Sequence, residues 1–202
     1  MINNITDGLI EGNTFRSNKN SKGSGIESNS LVANSTLTRV KILRNKFELS
    51  KHNPWNNSSS QNFAIEIHNT YTRGVEIAYN DFQNEISFAA HKPGDGSSKN
   101  WIHHNTGNLS GNLYFVETVA DDFIIENNTP NGSAMFIVNY QPNGVWKNWV
   151  VRNNVHTNGS PPSWGSAVLI GPNGVQNVLL ENNVLPNPVI KYMGTTGGVT
   201  LR

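Results

Sequence analysis

A short apolar strand that ends at an asparagine recurs seven times along the chain. Its copies are LIEGNTF (9–15), VKILRNKF (40–47), VEIAYNDF (75–82), WIHHNTG (101–107), FIIENNT (123–129), WVVRNNV (149–155) and VLLENNV (178–184). Within the copies, apolar residues alternate with residues that would point outward, as expected for a β-strand with one buried face. Successive copies are 23 to 35 residues apart. This spacing predicts a solenoid, in which stacked repeats bury one continuous core.

The recurring asparagine predicts a turn after each strand. The aligned residues are Asn13, Asn45, Asn80, Asn105, Asn128, Asn154 and Asn183. Asparagine tolerates the left-handed conformation, and its side-chain amide can donate to the same position of the next repeat. We therefore expect a structural ladder of asparagines, each in a left-handed turn.

A second column of strands lies between the asparagine turns. It runs through GIESN (25–29), AIEIHN (64–69), ISFAAHK (86–92), LYFVET (113–118), MFIVNY (135–140) and AVLIGP (167–172). In the middle repeats both alternating faces of this strand are apolar, so two registers one residue apart remain open, and they exchange the buried and outward faces.

Composition supports an all-β chain and excludes several partners. Asparagine accounts for 33 of the 202 residues, only 14% are charged, and the net charge is +1. The chain therefore lacks the basic stripe that nucleic-acid binding requires, and no apolar run has the length of a membrane span. No cysteine is present, which excludes disulfides and thiolate metal sites. No signal peptide is visible, and we expect residues 1–202 to form one domain that is a fragment of a longer protein.

The repeat resembles that of a known group. The unit Val75-Glu76-Ile77-Ala78-Tyr79-Asn80-Asp81-Phe82 is similar to the repeat of right-handed parallel β-helix proteins of the pectate-lyase-like superfamily. The resemblance implies a single-stranded right-handed parallel β-helix, here of about seven coils. It also implies an extracellular or cell-surface location and a shallow groove along one sheet that binds an extended polysaccharide.

Candidate groove residues come from the second strand column. In one register, Asn29, His68, Ala90 or His91, Glu117 and Asn139 form a single row, with Glu27 and Glu66 two positions earlier on their strands. We assign catalytic roles to Glu66, His68, His91 and Glu117. The predicted substrate-binding residues are Glu27, Lys92, Tyr114, Asn139 and Tyr140.

The chemistry of this row is left open between two mechanisms. Glu66 and Glu117 lie two repeats apart, near 10 Å, which is marginal for the carboxyl pair of a glycoside hydrolase. His68 and His91, on adjacent repeats, suit a base in β-elimination or epimerisation, because histidine titrates near neutral pH.

A different class of function is also compatible with this sequence. A non-catalytic shaft or sugar-binding module of tailspike or adhesin type would present apolar side chains outward for a trimer interface. Four residues would supply such a surface if they point outward: Phe88, Phe115, Ile137 and Leu169. The oligomeric state does not follow from the sequence.

Two further clusters are interpreted as structural. Asp121-Asp122 align with turn residues; they offer Ca²⁺ two carboxylates, fewer than its usual six to eight oxygen ligands, so calcium is possible and no cofactor or metal is assigned. His103-His104 are adjacent in a strand and are expected to point to opposite faces.

The remaining predictions concern charges and tryptophans. Glu126, Arg152 and Glu181 are expected to stack as a ladder of alternating charge. Trp149 is expected in the core, the direction of Trp101 is open, and three tryptophans are placed in loops, where they would stack on sugars or cover the core: Trp55, Trp146 and Trp164.

Overall fold

The computed structural model describes residues 2–17, 23–29, 35–50, 62–68, 70–89, 98–110, 112–118, 120–132, 135–139, 144–156 and 165–202. Across these ranges the chain forms strands and turns and no helix. In chain order the strands are β1 (Ile5–Thr6), β2 (Leu9–Glu11), β3 (Thr14–Arg16), β4 (Ile26–Asn29), β5 (Ser35–Thr38), β6 (Lys41–Leu43), β7 (Lys46–Glu48), β8 (Ile65–His68), β9 (Thr70–Arg73), β10 (Glu76–Ala78), β11 (Asp81–Phe82), β12 (Ile86–Ala89), β13 (Asn100–His103), β14 (Thr106–Asn108), β15 (Tyr114–Thr118), β16 (Phe123–Glu126), β17 (Thr129–Asn131), β18 (Met135–Asn139), β19 (Trp146–Lys147), β20 (Val150–Arg152), β21 (Val168–Ile170), β22 (Val175–Gln176), β23 (Val178–Glu181), β24 (Ile190–Tyr192) and β25 (Val199–Leu201).

Three large sheets are built from strands that pair only in parallel. An eight-stranded sheet has the order β2-β6-β10-β13-β16-β20-β23-β25, a seven-stranded sheet β24-β21-β18-β15-β12-β8-β4, and a five-stranded sheet β17-β14-β11-β7-β3. Two small sheets add β1-β5-β9 and β19-β22. In the central repeats the chain passes from the eight-stranded to the five-stranded to the seven-stranded sheet and then returns. This parallel, all-strand arrangement is consistent with a parallel β-helix.

The core lies between the three large sheets. Equivalent isoleucines of neighbouring strands stack there, as in the row Ile42, Ile77 and Ile102 of the eight-stranded sheet. In the five-stranded sheet the rings of Phe15, Phe47 and Phe82 stack at centroid distances of 4.8 and 5.0 Å. Period-2 alternation in the sequence therefore becomes rows of identical or similar side chains along the stack.

The predicted asparagine ladder is present with all seven members. The backbone N–H of each asparagine donates to the side-chain Oδ1 of the next, at 2.8 to 3.0 Å, from Asn13 through to Asn183. The side-chain amide donates to that same oxygen and, in the interior members, to a strand carbonyl of the preceding repeat, as Asn128 does to Ile102 at 3.0 Å. Each interior asparagine thus satisfies backbone groups of two neighbouring repeats.

One detail of that prediction is wrong. The left-handed residue is the one before the ladder asparagine, as in Arg44 (φ 54°), Tyr79 (φ 59°) and His104 (φ 53°). The asparagine itself follows the bend and turns its amide inward, where the carbonyls of the preceding repeat need donors.

The tryptophans and the charged row are placed as follows. Trp149 is buried in the core as predicted, but Trp146 is buried there too and does not lie in an exposed loop. Trp55 and Trp164 lie outside the described residues. Glu126, Arg152 and Glu181 occupy one row, and Arg152 Nε lies 2.5 Å from Glu126 Oε2.

Within the described ranges, no helix has the length and apolar character that crossing a bilayer requires.

Replacing Asn128 by alanine should lower the free energy of unfolding by about 1 to 3 kcal/mol, because it leaves buried donors and acceptors of two repeats without partners. Chemical denaturation followed by circular dichroism measures this change. Asn13→Ala is the matched control, since Asn13 is the exposed end of the ladder, and it should cost clearly less. Equal effects of the two substitutions would contradict the ladder as the source of stability.

Candidate functional site

The outward face of the seven-stranded sheet carries a row that differs from the predicted one. Glu27 lies opposite Glu66, Glu66 opposite Ser87, and Ser87 opposite Glu117. Glu117 therefore belongs to the row of the glutamates and not to that of His68, whose neighbour on the next strand is Ala89. The predicted row was wrong by two residues at Glu117, an even shift that keeps its side chain on the outward face.

A separate shift of one residue removes a predicted binding residue from the surface, because both faces of this strand are apolar and the alternation gives no direction. Asn139 lies opposite the core residue Ile170 and is buried, with its Nδ2 making no hydrogen bond. The row of Glu117 continues instead through Val138 and Leu169, which pack outside the sheet with Phe63 and Tyr114. His91, Lys92 and Tyr140 lie outside the described residues.

The structure brings four of the predicted residues into one hydrogen-bonded chain through a fifth, Ser87. Glu66 Oε1 lies 3.3 Å from His68 Nδ1, and His68 Nε2 lies 2.7 Å from Ser87 Oγ. Ser87 Oγ donates to Glu117 Oε2 at 2.6 Å, and the Tyr114 hydroxyl donates to the same oxygen at 3.1 Å. We refer to Glu66, His68, Ser87, Glu117 and Tyr114 as the relay cluster.

The local backbone explains how these side chains meet. Glu66 and His68 are two residues apart on β8, so both point outward. Ser87 is short enough to leave room for the ring of His68, which reaches diagonally across to it from the neighbouring strand. Glu66 also accepts a hydrogen bond from the Ser24 hydroxyl, which fixes the carboxylate from its other side.

Exposure divides the relay cluster into an open and a closed end. The side chains of His68 and Glu66 are 27% and 16% exposed, whereas Ser87 is 0% exposed and Glu117 and Tyr114 are buried. A substrate would thus reach His68 and Glu66, and the buried members would hold the imidazole in position.

Proton placement follows from the donors. Because Ser87 donates its one proton to Glu117, its oxygen is left to accept the Nε2–H of His68. The neutral imidazole then carries its lone pair on Nδ1, which faces the Glu66 carboxylate. Nδ1 is therefore the ring nitrogen that can accept a proton, as a general base must.

A sixth group beside the relay cluster was not predicted. Glu85 is buried two residues before Ser87, its Oε1 accepts the Leu113 N–H at 2.7 Å, and its Oε2 has no hydrogen-bond partner. Burial, reinforced by the negative charge of Glu117, raises the pKa of Glu85 to about 7. Glu85 and Ser87 occupy alternate positions of the segment, on the side that faces outward at Ser87. This alternation could have identified both residues from the sequence only if the register had been known.

The other candidate clusters are also settled by geometry. Asp122 lies in a left-handed turn (φ 51°), and Asp121 and Asp122 accept hydrogen bonds from Lys147 N and Asn148 Nδ2, which confirms the turn interpretation. His103 and His104 do not point to opposite faces: their Nδ1 atoms are 2.8 Å apart, because the left-handed His104 swings its ring to the same side. Among the described residues, no group of three or more histidine and acidic side chains has the geometry to hold a metal ion.

Comparisons with known proteins give no identity for this chain. No protein-family model, no curated protein and no solved structure matches it. The function is therefore argued from the relay cluster and its surroundings.

The pKa of Glu85 predicts a pH-dependent stability. Between pH 4.5, the ordinary pKa of glutamate, and about 7, the unfolded chain loses a proton that the folded protein keeps. The free energy of unfolding should fall as pH rises through this window, by about 3 kcal/mol in total. Glu85→Gln removes the ionisation, so its stability relative to the wild type should increase from pH 4.5 to pH 8.

Urea denaturation at both pH values measures this difference. Glu181→Gln is the control, since water reaches its side chain on the eight-stranded sheet, and it should run parallel to the wild type. A constant difference between Glu85→Gln and the wild type would show that Glu85 is ionised in the folded protein at the lower pH.

Proposed function

We propose that this chain is a right-handed parallel β-helix of about seven coils, related to the pectate-lyase-like superfamily, that acts on an extracellular polysaccharide. The parallel sheets and the asparagine ladder support the fold. The relay cluster carries the proposed activity, because it orients a partly exposed base on an outward sheet face. The partly exposed Glu27 and Glu66, neighbours in the outward row, would contact the bound sugar chain.

The geometry favours base chemistry over the two-carboxylate mechanism. Glycoside hydrolysis needs two carboxyl groups that both reach the scissile bond, but Glu117 is buried behind Ser87. His68 would instead remove a proton from a sugar carbon, with Glu66 stabilising the imidazolium that forms. In a lyase the electrons of that C–H bond form a carbon–carbon double bond as the glycosidic C–O bond breaks, and the departing sugar oxygen takes a proton from water. In an epimerase water would deliver a proton to the other face of the carbon.

A nucleophilic serine is disfavoured by two observations. Carboxylate, imidazole and hydroxyl lie in the order of a hydrolase triad, but Ser87 has no exposed surface and its proton is directed to Glu117. A substrate carbonyl could not approach its oxygen. Ser87 is therefore assigned the task of holding His68 Nε2.

The shaft hypothesis loses its main expectation. Of the four apolar residues that would have formed an outward trimer surface, Phe88, Phe115 and Ile137 lie in the core between the sheets. Leu169 points outward but is covered by Phe63 and Tyr114. Sugar binding without catalysis on the same face is retained as an outcome of the experiment below.

His68→Ala should abolish turnover on a polysaccharide panel assayed for new reducing ends and for the absorbance of unsaturated uronate, because it removes the base. Free imidazole should restore part of the activity of this variant, and the melting temperature should stay close to that of the wild type. Glu48→Gln on the five-stranded sheet is the control; it breaks ion pairs with Arg16 and Lys46 at the surface and should leave turnover unchanged.

The readouts separate the reaction classes. Absorbance together with reducing ends indicates a lyase, and reducing ends alone indicate hydrolysis and would overturn the assignment of His68 as a carbon base. Full activity in His68→Ala would exclude the relay cluster as the catalytic site. A wild type that binds a polysaccharide without giving either signal, and without changing the sugar configuration seen by NMR, would favour a sugar-binding module.

A further inference from the structure

A second cluster of side chains stands on the outer face of the eight-stranded sheet. Trp101 lies in the outward row between Glu76 and Ile124, and His103 lies between Ala78 and Glu126 in the parallel row two residues on. Tyr79 and His104 occupy the left-handed column that precedes the asparagine ladder. We refer to the rings of Tyr79, Trp101, His103 and His104 as the aromatic platform.

The four rings form one continuous stack of contacts. Trp101 stacks on His103 at a centroid distance of 3.6 Å, and Tyr79 stacks on His104 at 5.1 Å. His103 meets Tyr79 edge-on at 5.5 Å, which joins the two stacked pairs. Offset stacking and edge-to-face contacts are the preferred geometries of aromatic pairs.

Two carboxylates fix the platform from beneath. Glu126 accepts the indole N–H of Trp101 at 3.0 Å, and Glu76 Oε1 lies 3.2 Å from His103 Nε2. Each carboxylate also has a cationic partner: Lys41 Nζ lies 3.1 Å from Glu76, and Arg152 Nε lies 2.5 Å from Glu126. The rings are thus held in place before any ligand arrives, which lowers the entropy cost of binding.

The pKa directions agree with this network. Burial lowers the pKa of His103, against the opposing effect of Glu76. A neutral His103 is what the contact with His104 requires, since one of the two facing Nδ1 atoms must accept the proton of the other.

Two features do not fit a purely structural role. Trp101 and Tyr79 keep 36% and 50% of their surface exposed, so much of their apolar area contributes nothing to the core. Tyr79 also has a φ of 59°, a conformation that disfavours an aromatic residue by about 1 to 2 kcal/mol. Later repeats place asparagines at the same position, namely Asn127, Asn153 and Asn182.

We propose that the aromatic platform is a binding site for a neutral saccharide chain, separate from the relay cluster. A pyranose ring would place its C–H face on the exposed surfaces of Trp101 and Tyr79. The chain would continue along the outward row through the partly exposed Ile124, Val150 and Leu179, which follow one another on adjacent strands.

Charge and size decide between this ligand and others. The two carboxylates are matched by two cations, so the platform offers no excess positive charge to a polyuronate or to the phosphates of a nucleic acid. The exposed apolar row is one side chain wide, far less than the roughly 800 Å² per partner of a stable protein interface. The inference does not depend on the reaction proposed for His68, because the two clusters lie on different sheets.

Affinity electrophoresis in gels containing galactomannan, xyloglucan or mixed-linkage β-glucan tests the proposal. Trp101→Ala should weaken retention by at least one of these polymers about tenfold, and Trp101→Phe, which keeps a ring but loses the indole N–H, should have an intermediate effect. Leu9→Ala, an exposed position of the same outward row, is the matched control and should bind as the wild type does. His68→Ala should also bind normally, which separates this site from the proposed reaction.

Tyr79→Asn gives a readout that a structural role would not predict. Asparagine tolerates the left-handed conformation, so this variant should melt at or above the temperature of the wild type and yet lose affinity for the polymer. No retention of the wild type by any neutral polymer would overturn the proposal, as would unchanged retention of Trp101→Ala. Self-association that Trp101→Ala abolishes in sedimentation would identify a protein interface instead.

Discussion

The asparagine ladder is the interaction on which the rest of the structure depends. A stacked strand repeat must turn sharply between the eight-stranded and the five-stranded sheet, and the turn leaves buried N–H and C=O groups without strand partners. Each interior asparagine satisfies them in the repeats on either side, so every repeat is registered against the next at the same point. The isoleucine rows, the phenylalanine stack and the charged row all follow from this alignment.

The ladder also determines which side chains are exposed at the bend that precedes each asparagine. Because the asparagine must point inward, the bend falls on the residue before it, and that residue takes the left-handed conformation. In Tyr79 and His104 the bend carries an aromatic ring out of the alternation and onto the outer face, where His104 meets His103. A constraint that exists for backbone hydrogen bonds thereby places the rings of the successive residues His103 and His104 side by side.

The sequence was informative where one face of a strand is polar and uninformative where neither is. The ladder strands show this clearly: Lys41 and Leu43 flank Ile42, and the seven asparagines and the core position of Trp149 were predicted correctly. In the seven-stranded sheet the outward row changes from Ser87 and Glu117 to Val138 and Leu169, so the alternation carries no direction there.

The consequence of that ambiguity is confined to the candidate site. Glu66, His68 and Glu117 were identified as residue types with suitable chemistry, but their connection depends on Ser87, which only the register reveals. Asn139 was placed on the surface by an error of one residue in the register and lies inside. His91 and Lys92 follow Ala89 and lie outside the described residues, so their part in the site stays a prediction.

The two proposed sites suit different kinds of ligand contact, because different side chains are buried in each. In the relay cluster the hydrogen bonds of the buried Ser87 and Glu117 orient the imidazole of His68. A ligand would therefore benefit from this arrangement only if it exchanges a proton with His68. In the aromatic platform the hydrogen bonds orient flat rings, and the exposed area lies on the rings themselves. The first arrangement stabilises a charge that forms during a reaction, whereas the second stabilises contact with a ligand that does not change. With the two proposed sites on separate sheets, the protein would hold a polymer on one face and act on a sugar chain at the other.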